Sequence, residues 1–155
     1  MKADLHIHSR YSNDGEIGIP DIIKQCMDEQ VDVFTISDHN CIGGSREAFK
    51  LCAERNDIRF IPGIEIDCNY QGTDLHLLGF QVDLEGNDFD ILEHSNRQRH
   101  LDVVPQMTRN LSKLGIEVDL EELMIKSGGE PPSAELFAEV LLQKPGQGSN
   151  PRLRP

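Results

Sequence analysis

Residues 1–16 read MKADLHIHSRYSNDGE, and polar and apolar side chains alternate through the stretch DLHIH. In a β-strand successive side chains point to opposite faces, so His6 and His8 share one face with Asp4 just behind them. Two neutral imidazoles on one face suit a single zinc, iron or manganese ion. The stretch therefore predicts a strand that carries either a metal site or a solvated polar face.

Strand and helix patterns alternate through the first half of the chain. Pro20 fits the first turn of the first helix, and Ser45 is the expected cap of the second. The βαβα order predicts an α/β protein with a parallel sheet and outer helices, either open or closed as a barrel. The last of the strands is expected to run antiparallel to the one before it. The predicted strands are 3–8, 31–37, 58–70 and 74–83, and the helices are 19–30 and 45–56.

The second half of the chain is helical in pattern. A long helix is expected at 88–114, with Gly115 just after its end and Pro105 either kinking or splitting it. Two shorter helices follow, the second capped by Ser133. The final twelve residues have no periodicity and contain three prolines, which is typical of a linker or an unfinished domain. We predict a β/α core at 1–86, a helical segment at 87–143 and a tail at 144–155 that marks a truncation point.

Composition narrows the functional classes. The 155 residues fit one domain of ~100–200 residues. The net charge of −12 argues against electrostatic binding of a nucleic-acid backbone. Bound cations could still attract a phosphate substrate. No apolar run reaches the ~20 residues of a membrane span, and no signal-peptide pattern is present, so we expect a cytoplasmic protein without a membrane partner. The four cysteines form no C-x-x-C pair, and we interpret them as reduced thiols.

Ionisable residues recur where the predicted strands end. The stretch TISDHN places Asp38 and His39 at a strand end, PGIEID holds Glu65, and DLHLLGF holds His76. Ligands collect at the carboxyl ends of strands in α/β proteins. Each residue also has a purely structural interpretation, as a turn former, a solvated side chain or a hydrogen-bonded core histidine. Together they predict that one end of the sheet gathers His6, His8, His39, Glu65 and His76.

Four stretches resemble, in order and spacing, the first motifs of the PHP (polymerase and histidinol phosphatase) superfamily: DLHIHSRYSNDGE, TISDHN, PGIEID and LHLLGF. The resemblance is detailed from about Lys2 to Phe80 and looser to about Leu142. It implies an α/β fold of the PHP type, a distorted seven-stranded β/α barrel. Of this barrel the chain would hold the first half plus a helical insertion.

The resemblance also implies a metal site. Family members bind two or three divalent ions (manganese, iron or zinc) and hydrolyse phosphoesters through metal-bound hydroxide. Glu65 would bridge two ions, and Asp38 would support His39 without binding metal itself. The ligands implied by the resemblance are His6, His8, Asp14, His39, Glu65 and His76.

The match has limits. The family completes its site with later histidines and an Asp-x-His motif, whereas this sequence has no histidine after His100. The metal site is therefore expected to lack ligands, and an exposed sheet edge could pair with another copy of the chain in a homo-oligomer. Arg10, Arg97 and Arg99 are candidates for binding a substrate phosphate, with solvated surface as the alternative. His94 and His100 are expected on the surface.

We predict a metal-dependent phosphoesterase acting on a small nucleotide or a short oligonucleotide such as RNA. The alternative is a non-catalytic PHP-like module that binds metal or nucleotide. An amidohydrolase ranks last, because those enzymes usually bridge their metals with a lysine and no lysine lies near Glu65.

Overall fold

A computed structural model describes residues 1–143 of the chain. The chain divides into two compact units, Met1–His94 and Ser95–Pro155. The domain bounds expected from the sequence, 1–86 and 87–143, stay predictions. The predicted tail at 144–155 lies outside the described residues.

The first unit alternates strands and helices and ends with a β-hairpin and the start of a long helix. Strands β1 (Ala3–Ile7), β2 (Val33–Ile36) and β3 (Arg59–Phe60) form a parallel sheet in that order, and β4 (Gly63–Tyr70) pairs with β5 (Thr73–Phe80) in antiparallel register. The α/β class is confirmed, as is the antiparallel pairing of the last strand, while closure into a barrel stays a prediction. Helix α1 (Ile19–Asp28) follows β1, and helix α2 (Gly43–Cys52) follows β2.

The core of this unit lies on one face of the parallel sheet. Phe34 and Ile36 are two residues apart on β2, so they share a face, and both are completely buried. Helix α1 begins with Pro20 in its first turn, as predicted, and places one apolar stripe on this face. The α1 and α2 residues in this core are Ile19, Ile22, Ile23, Cys26 and Ala48.

Ser45 does not cap the second helix. Helix α2 begins two residues earlier, and its N-cap position is Ile42, which makes no side-chain cap hydrogen bond. The buried Ser45 hydroxyl lies 2.7 Å from the carbonyl oxygen of Gly63 and 3.0 Å from that of Ile36, and it accepts the Gly63 N–H at 3.1 Å. Those carbonyls need partners away from water, so the hydroxyl joins the end of β2 to the start of β4.

Asp38 fastens the loop that follows β1. Its fully buried carboxylate accepts the backbone N–H of Ser9 at 2.6 Å and the Ser9 hydroxyl at 2.8 Å. These hydrogen bonds go to Ser9 rather than to the His39 imidazole. Burial raises the pKa of the Asp38 carboxyl, although both Ser9 hydrogen bonds oppose this effect. The carboxylate lies against Gly44, where an added Cβ would approach Asp38 Oδ2 to 2.1 Å.

The second unit contains the rest of the long helix and two short ones. The helices are α3 (Asp88–Lys113), α4 (Leu120–Lys126) and α5 (Ala134–Leu142). Pro105 lies inside α3 without splitting it. Gly115 has φ of +78°, which confirms the predicted glycine after the helix end. Among the described residues, every helix is too short or too polar to cross a bilayer.

The short helices have side-chain caps and a small apolar core. Ser133 accepts the N–H of Leu136 at 3.2 Å, which confirms the predicted cap of α5, and Asp119 caps α4 by accepting two backbone N–H groups. The short helices pack with the long helix α3 around four buried apolar residues: Val104 of α3, Leu123 of α4, and Phe137 and Val140 of α5.

Replacing Gly44 with alanine tests the contact that seats Asp38. The new methyl group would overlap the buried carboxylate, so Gly44→Ala should lower the free energy of unfolding by about 1–3 kcal/mol. Gly18→Ala is the matched control, because the nearest atom to its Cβ would be an ordinary 3.7 Å away. Urea denaturation of both variants measures the difference, and equal effects would contradict this packing.

Candidate metal centre

The backbone brings the end of β2 against β4. His39 and Glu65 form an isolated parallel bridge. The Glu65 N–H donates to the Asp38 carbonyl at 3.1 Å, and the Asn40 N–H donates to the Glu65 carbonyl at 2.7 Å. The loop that carries His39 is thereby fixed beside the strand that carries Glu65.

The hairpin places three polar side chains on one face. Glu65 and Asp67 are two residues apart on β4 and therefore point the same way. Asp67 lies directly opposite His76 of β5, and side chains paired across an antiparallel ladder also share a face. This face of the hairpin meets the histidines of β1 and of the loop after β2.

Glu65 is the centre of a first group of ligand atoms. Its Oε2 atom lies 2.8 Å from Nε2 of His6 and 2.9 Å from Nε2 of His8. The two imidazole nitrogens are themselves 2.9 Å apart. Three potential ligand atoms from β1, the residue after it and β4 thus converge on one point.

Asp14 connects His8 to His39 in a second group. Its Oδ1 atom lies 2.8 Å from Nδ1 of His8 and accepts the Ser12 hydroxyl at 2.6 Å. Its Oδ2 atom lies 3.4 Å from Nε2 of His39. Partial burial raises the pKa of the Asp14 carboxyl, but the hydrogen bonds from Ser12 and His8 and the histidine charges outweigh it and lower the pKa to about 2.

A third group joins both strands of the hairpin to the loop after β2. Nδ1 of His39 lies 2.7 Å from Oδ1 of Asp67, and Nε2 of His76 lies 3.6 Å from the same oxygen. Nδ1 of His76 lies 2.7 Å from Oε1 of Glu65. Asp67 is the member of the cluster that the sequence analysis missed, although its place two residues after Glu65 is a signal that could have identified it.

Neighbouring imidazoles favour the ionised form of the Glu65 carboxyl group. Glu65 is 1% exposed. Burial raises the pKa of its carboxyl, but the hydrogen bond from His6 and the charges of the neighbouring imidazoles lower it below its ordinary value overall. Burial lowers the pKa of His8, and the adjacent Asp14 and Glu65 carboxylates raise it by more. A buried carboxylate needs such partners or a cation.

The donor set fits a divalent metal. Two ligands bound at ~2.1 Å to one ion, with an angle near 90° at the metal, lie about 3 Å apart. The three contacts among His6, His8 and Glu65 are 2.8–2.9 Å long. Mixed imidazole and carboxylate ligands suit zinc, iron or manganese. All six predicted ligands lie in the three groups, and their role as ligands stays a prediction.

Two of the three predicted phosphate-binding arginines contact acidic residues, and the third is exposed. Arg10 lies over the Tyr11 ring, with a guanidinium nitrogen 3.6 Å from Glu47. In the second unit, Arg97 forms a bidentate ion pair with Glu130. Its Nε atom lies 2.6 Å from Oε2 of Glu130, and its Nη2 atom lies 3.1 Å from Oε1. Arg99 is exposed. Phosphate binding by these arginines stays a prediction.

The remaining histidines and the four cysteines are not members of these groups. His94 and His100 are exposed on α3, as predicted. All four cysteines are free thiols. Burial raises the pKa of the Cys41 thiol to about 12, so that thiol is poorly suited to bind metal as a thiolate.

Comparison with known proteins identifies relatives of about twice this length. The chain is 28% identical over 142 residues to the 5'-3' exoribonuclease of Haemophilus influenzae, covering 92% of this chain and 51% of that protein. It is 30% identical over 113 residues to the 3',5'-nucleoside bisphosphate phosphatase of Chromobacterium violaceum, covering 73% of this chain and 39% of that protein. The chain thus spans about half, or less, of the relatives that it matches.

Two solved structures share the fold. One is described as an amidohydrolase from Chromobacterium violaceum with bound sulfate and no metal (TM-score 0.64, 24% identity). The other is a proposed metal-dependent phosphoesterase from Bifidobacterium adolescentis (TM-score 0.63, 18% identity). Each match covers 95% of this chain and 57% of the other. Identities this low show the fold alone.

The family follows from a match along nearly the whole chain. The PHP domain model matches residues 4–149. That range includes every motif on which the sequence resemblance depended and all three groups of ligand atoms. The chain belongs to the PHP domain family.

Proposed function

We propose that the chain acts as a metal-dependent phosphoesterase on a phosphate ester of a small nucleotide or a short oligonucleotide. The main support for the proposal is that the two carboxylate oxygens of Glu65 contact different histidines. One carboxylate oxygen contacts His6 and His8, and the other contacts His76. A carboxylate shared in this way is suited to bridge two metal ions.

The ligand groups suggest where divalent ions (manganese, iron or zinc) would be held. His6, His8 and Glu65 would hold one ion, and Asp14 and His39 would contribute to a second. His76 would add a ligand on the other side of Glu65. Bound ions of this kind lower the pKa of a coordinated water and offset the negative charge of a phosphoryl group.

The charge of the site supports metal dependence. Asp14, Glu65 and Asp67 bring three carboxyl groups to one cluster, and the whole chain carries a net charge of −12. These residues alone would repel an anionic phosphate. Because bound divalent ions can be the largest charges in a site, they would reverse the sign that the substrate meets.

The exposure of the ligands suggests a direction of approach. The Glu65 and His39 side chains are buried or nearly so, whereas those of His6 and His76 are 50% and 56% exposed. Substrate would therefore arrive over the two exposed imidazoles. The contact of Asp14 with Nδ1 of His8 would orient that imidazole so that its Nε2 atom faces Glu65.

The names of the relatives support the substrate class. One relative is named as an exoribonuclease and the other as a nucleoside bisphosphate phosphatase. Both names describe cleavage of phosphate esters in RNA or nucleotides. A small nucleotide or short RNA is therefore the substrate class that we propose for this chain.

Association between copies through a sheet edge is a further part of the proposal. Within residues 1–143, β5 pairs with β4 alone. Leu75, Leu77 and Phe80 of β5 are each at least 40% exposed. An exposed apolar edge strand is a surface on which a second strand can pair.

Metal content tests the ligand assignment. We expect the purified chain to retain divalent metal after dialysis against manganese, iron or zinc. His6→Ala and Glu65→Gln should each weaken binding by at least about 10-fold, because each removes a ligand from the converging group. Glu54→Gln removes the same charge from an exposed site and should bind like the parent. Equal binding by all four folded proteins would contradict the assignment.

Hydrolysis tests the reaction. With manganese present, we expect release of phosphate from a nucleoside 3',5'-bisphosphate or of nucleotides from short RNA. Chelation should abolish the activity, and Glu65→Gln should lower kcat/KM by about 100-fold or more. A chain that binds metal but hydrolyses neither substrate would instead be the non-catalytic metal-binding module.

A further inference from the structure

A pair of hydrogen bonds joins Asn40 to Asp67. The Asn40 amide donates to Oδ2 of Asp67 at 2.7 Å, and the Asp67 backbone N–H donates to Oδ1 of Asn40 at 3.0 Å. Asn40 is nearly buried and has φ of +53°, a conformation that asparagine tolerates better than most residues. The pair fixes both the position of the Asp67 carboxylate and its rotation.

The second oxygen of Asp67 is directed at His39. Oδ1 lies 2.7 Å from Nδ1 of the imidazole. An ionised carboxylate only accepts hydrogen bonds, so Nδ1 of His39 must carry the proton in this contact. In the neutral ring Nε2 is then unprotonated, and this nitrogen lies 3.4 Å from Asp14 and 3.9 Å from Glu65.

We propose that Asn40 and Asp67 are positioning residues that hold His39 as its Nδ1–H tautomer. The Nε2 lone pair is thereby available to a cation between Asp14 and Glu65. Asp67 acts through His39 and is not itself a ligand. The role toward metal rests on the proposed function, whereas the tautomer of His39 does not depend on it.

Asp67→Asn is designed to reverse the polarity of this contact with little change of shape. The Asn40 amide still requires an acceptor, so the new amide oxygen should face Asn40 and its NH₂ group should face Nδ1 of His39. That arrangement favours the opposite, Nε2–H tautomer, which cannot bind metal through Nε2. We expect metal affinity to fall by about 10–100-fold, the range typical of residues that orient a ligand.

Two measurements are made on each protein. The ring ¹⁵N shifts of His39 in the metal-free chain, assigned by their loss in His39→Gln, give the tautomer. Competition with a chelating indicator gives the zinc dissociation constant. Asp74→Asn is the matched control, because this carboxylate lies on the same hairpin and bonds an asparagine, Asn69, instead of a histidine. It should change neither result.

Asn40→Gly removes the other half of the pair while keeping a residue that accepts positive φ. We expect its zinc affinity to fall by less than that of Asp67→Asn, because the Asp67 carboxylate remains but can rotate. An unchanged affinity in Asn40→Gly would overturn the positioning role of Asn40.

The outcomes separate this inference from the proposed function. An Nδ1–H tautomer in the parent that shifts to Nε2–H in Asp67→Asn, together with weaker zinc binding, supports the inference. An Nε2–H tautomer in the parent, or native zinc affinity in Asp67→Asn, overturns it. If the parent binds no metal, the proposed function fails while the tautomer measurement still decides the orientation of His39.

Discussion

The buried carboxylate of Glu65 is the constraint on which the rest of the site depends. At 1% exposure it has lost nearly all contact with water, and an ionised carboxylate in that position is costly unless charged or hydrogen-bonded partners surround it. Imidazoles from β1, from the loop after β2 and from β5 supply those partners. Residues from three separate segments of the chain therefore surround this one carboxylate.

The loops that hold His8 and His39 are fixed by polar contacts of neighbouring residues. Asp38 binds Ser9, the residue after His8, and Asn40 binds Asp67 across to β4. Both anchors are neighbours of His39 in sequence, so one short loop fastens β1 and β4 at the same time. Such rigid support is what a site needs if ligands are to be in place before an ion arrives.

Much of this could be predicted from the sequence because it depends on local periodicity. Alternation on the first strand places His6 and His8 on one face, and the βαβα order gives the α/β class. The position of His76 followed from its place between leucines on a strand. Side chains two residues apart on a regular strand share a face, so these residues could be assigned to faces without knowledge of the fold.

The parts that could not be predicted depend on contacts between distant residues. Asp67 lies in the quoted stretch PGIEID, but its role depends on its contacts with His76 and Asn40. Strand pairing brings His76 opposite Asp67, and the loop after β2 brings Asn40 beside it. Ser45 has the sequence pattern of a helix cap, yet its hydroxyl contacts the carbonyl oxygen of Gly63 instead of a backbone N–H of helix α2. Asp38 adjoins His39 in sequence, yet its carboxylate binds Ser9, which is 29 residues away in sequence.

We expect the cluster around Glu65 to bind a divalent metal, and anomalous X-ray diffraction from crystals of the chain grown with zinc can locate the ion. The anomalous peak should lie about 2.0–2.2 Å from Oε2 of Glu65 and from Nε2 of both His6 and His8. A well-ordered chain with no peak at Glu65, or with zinc held only by other residues, would contradict this expectation.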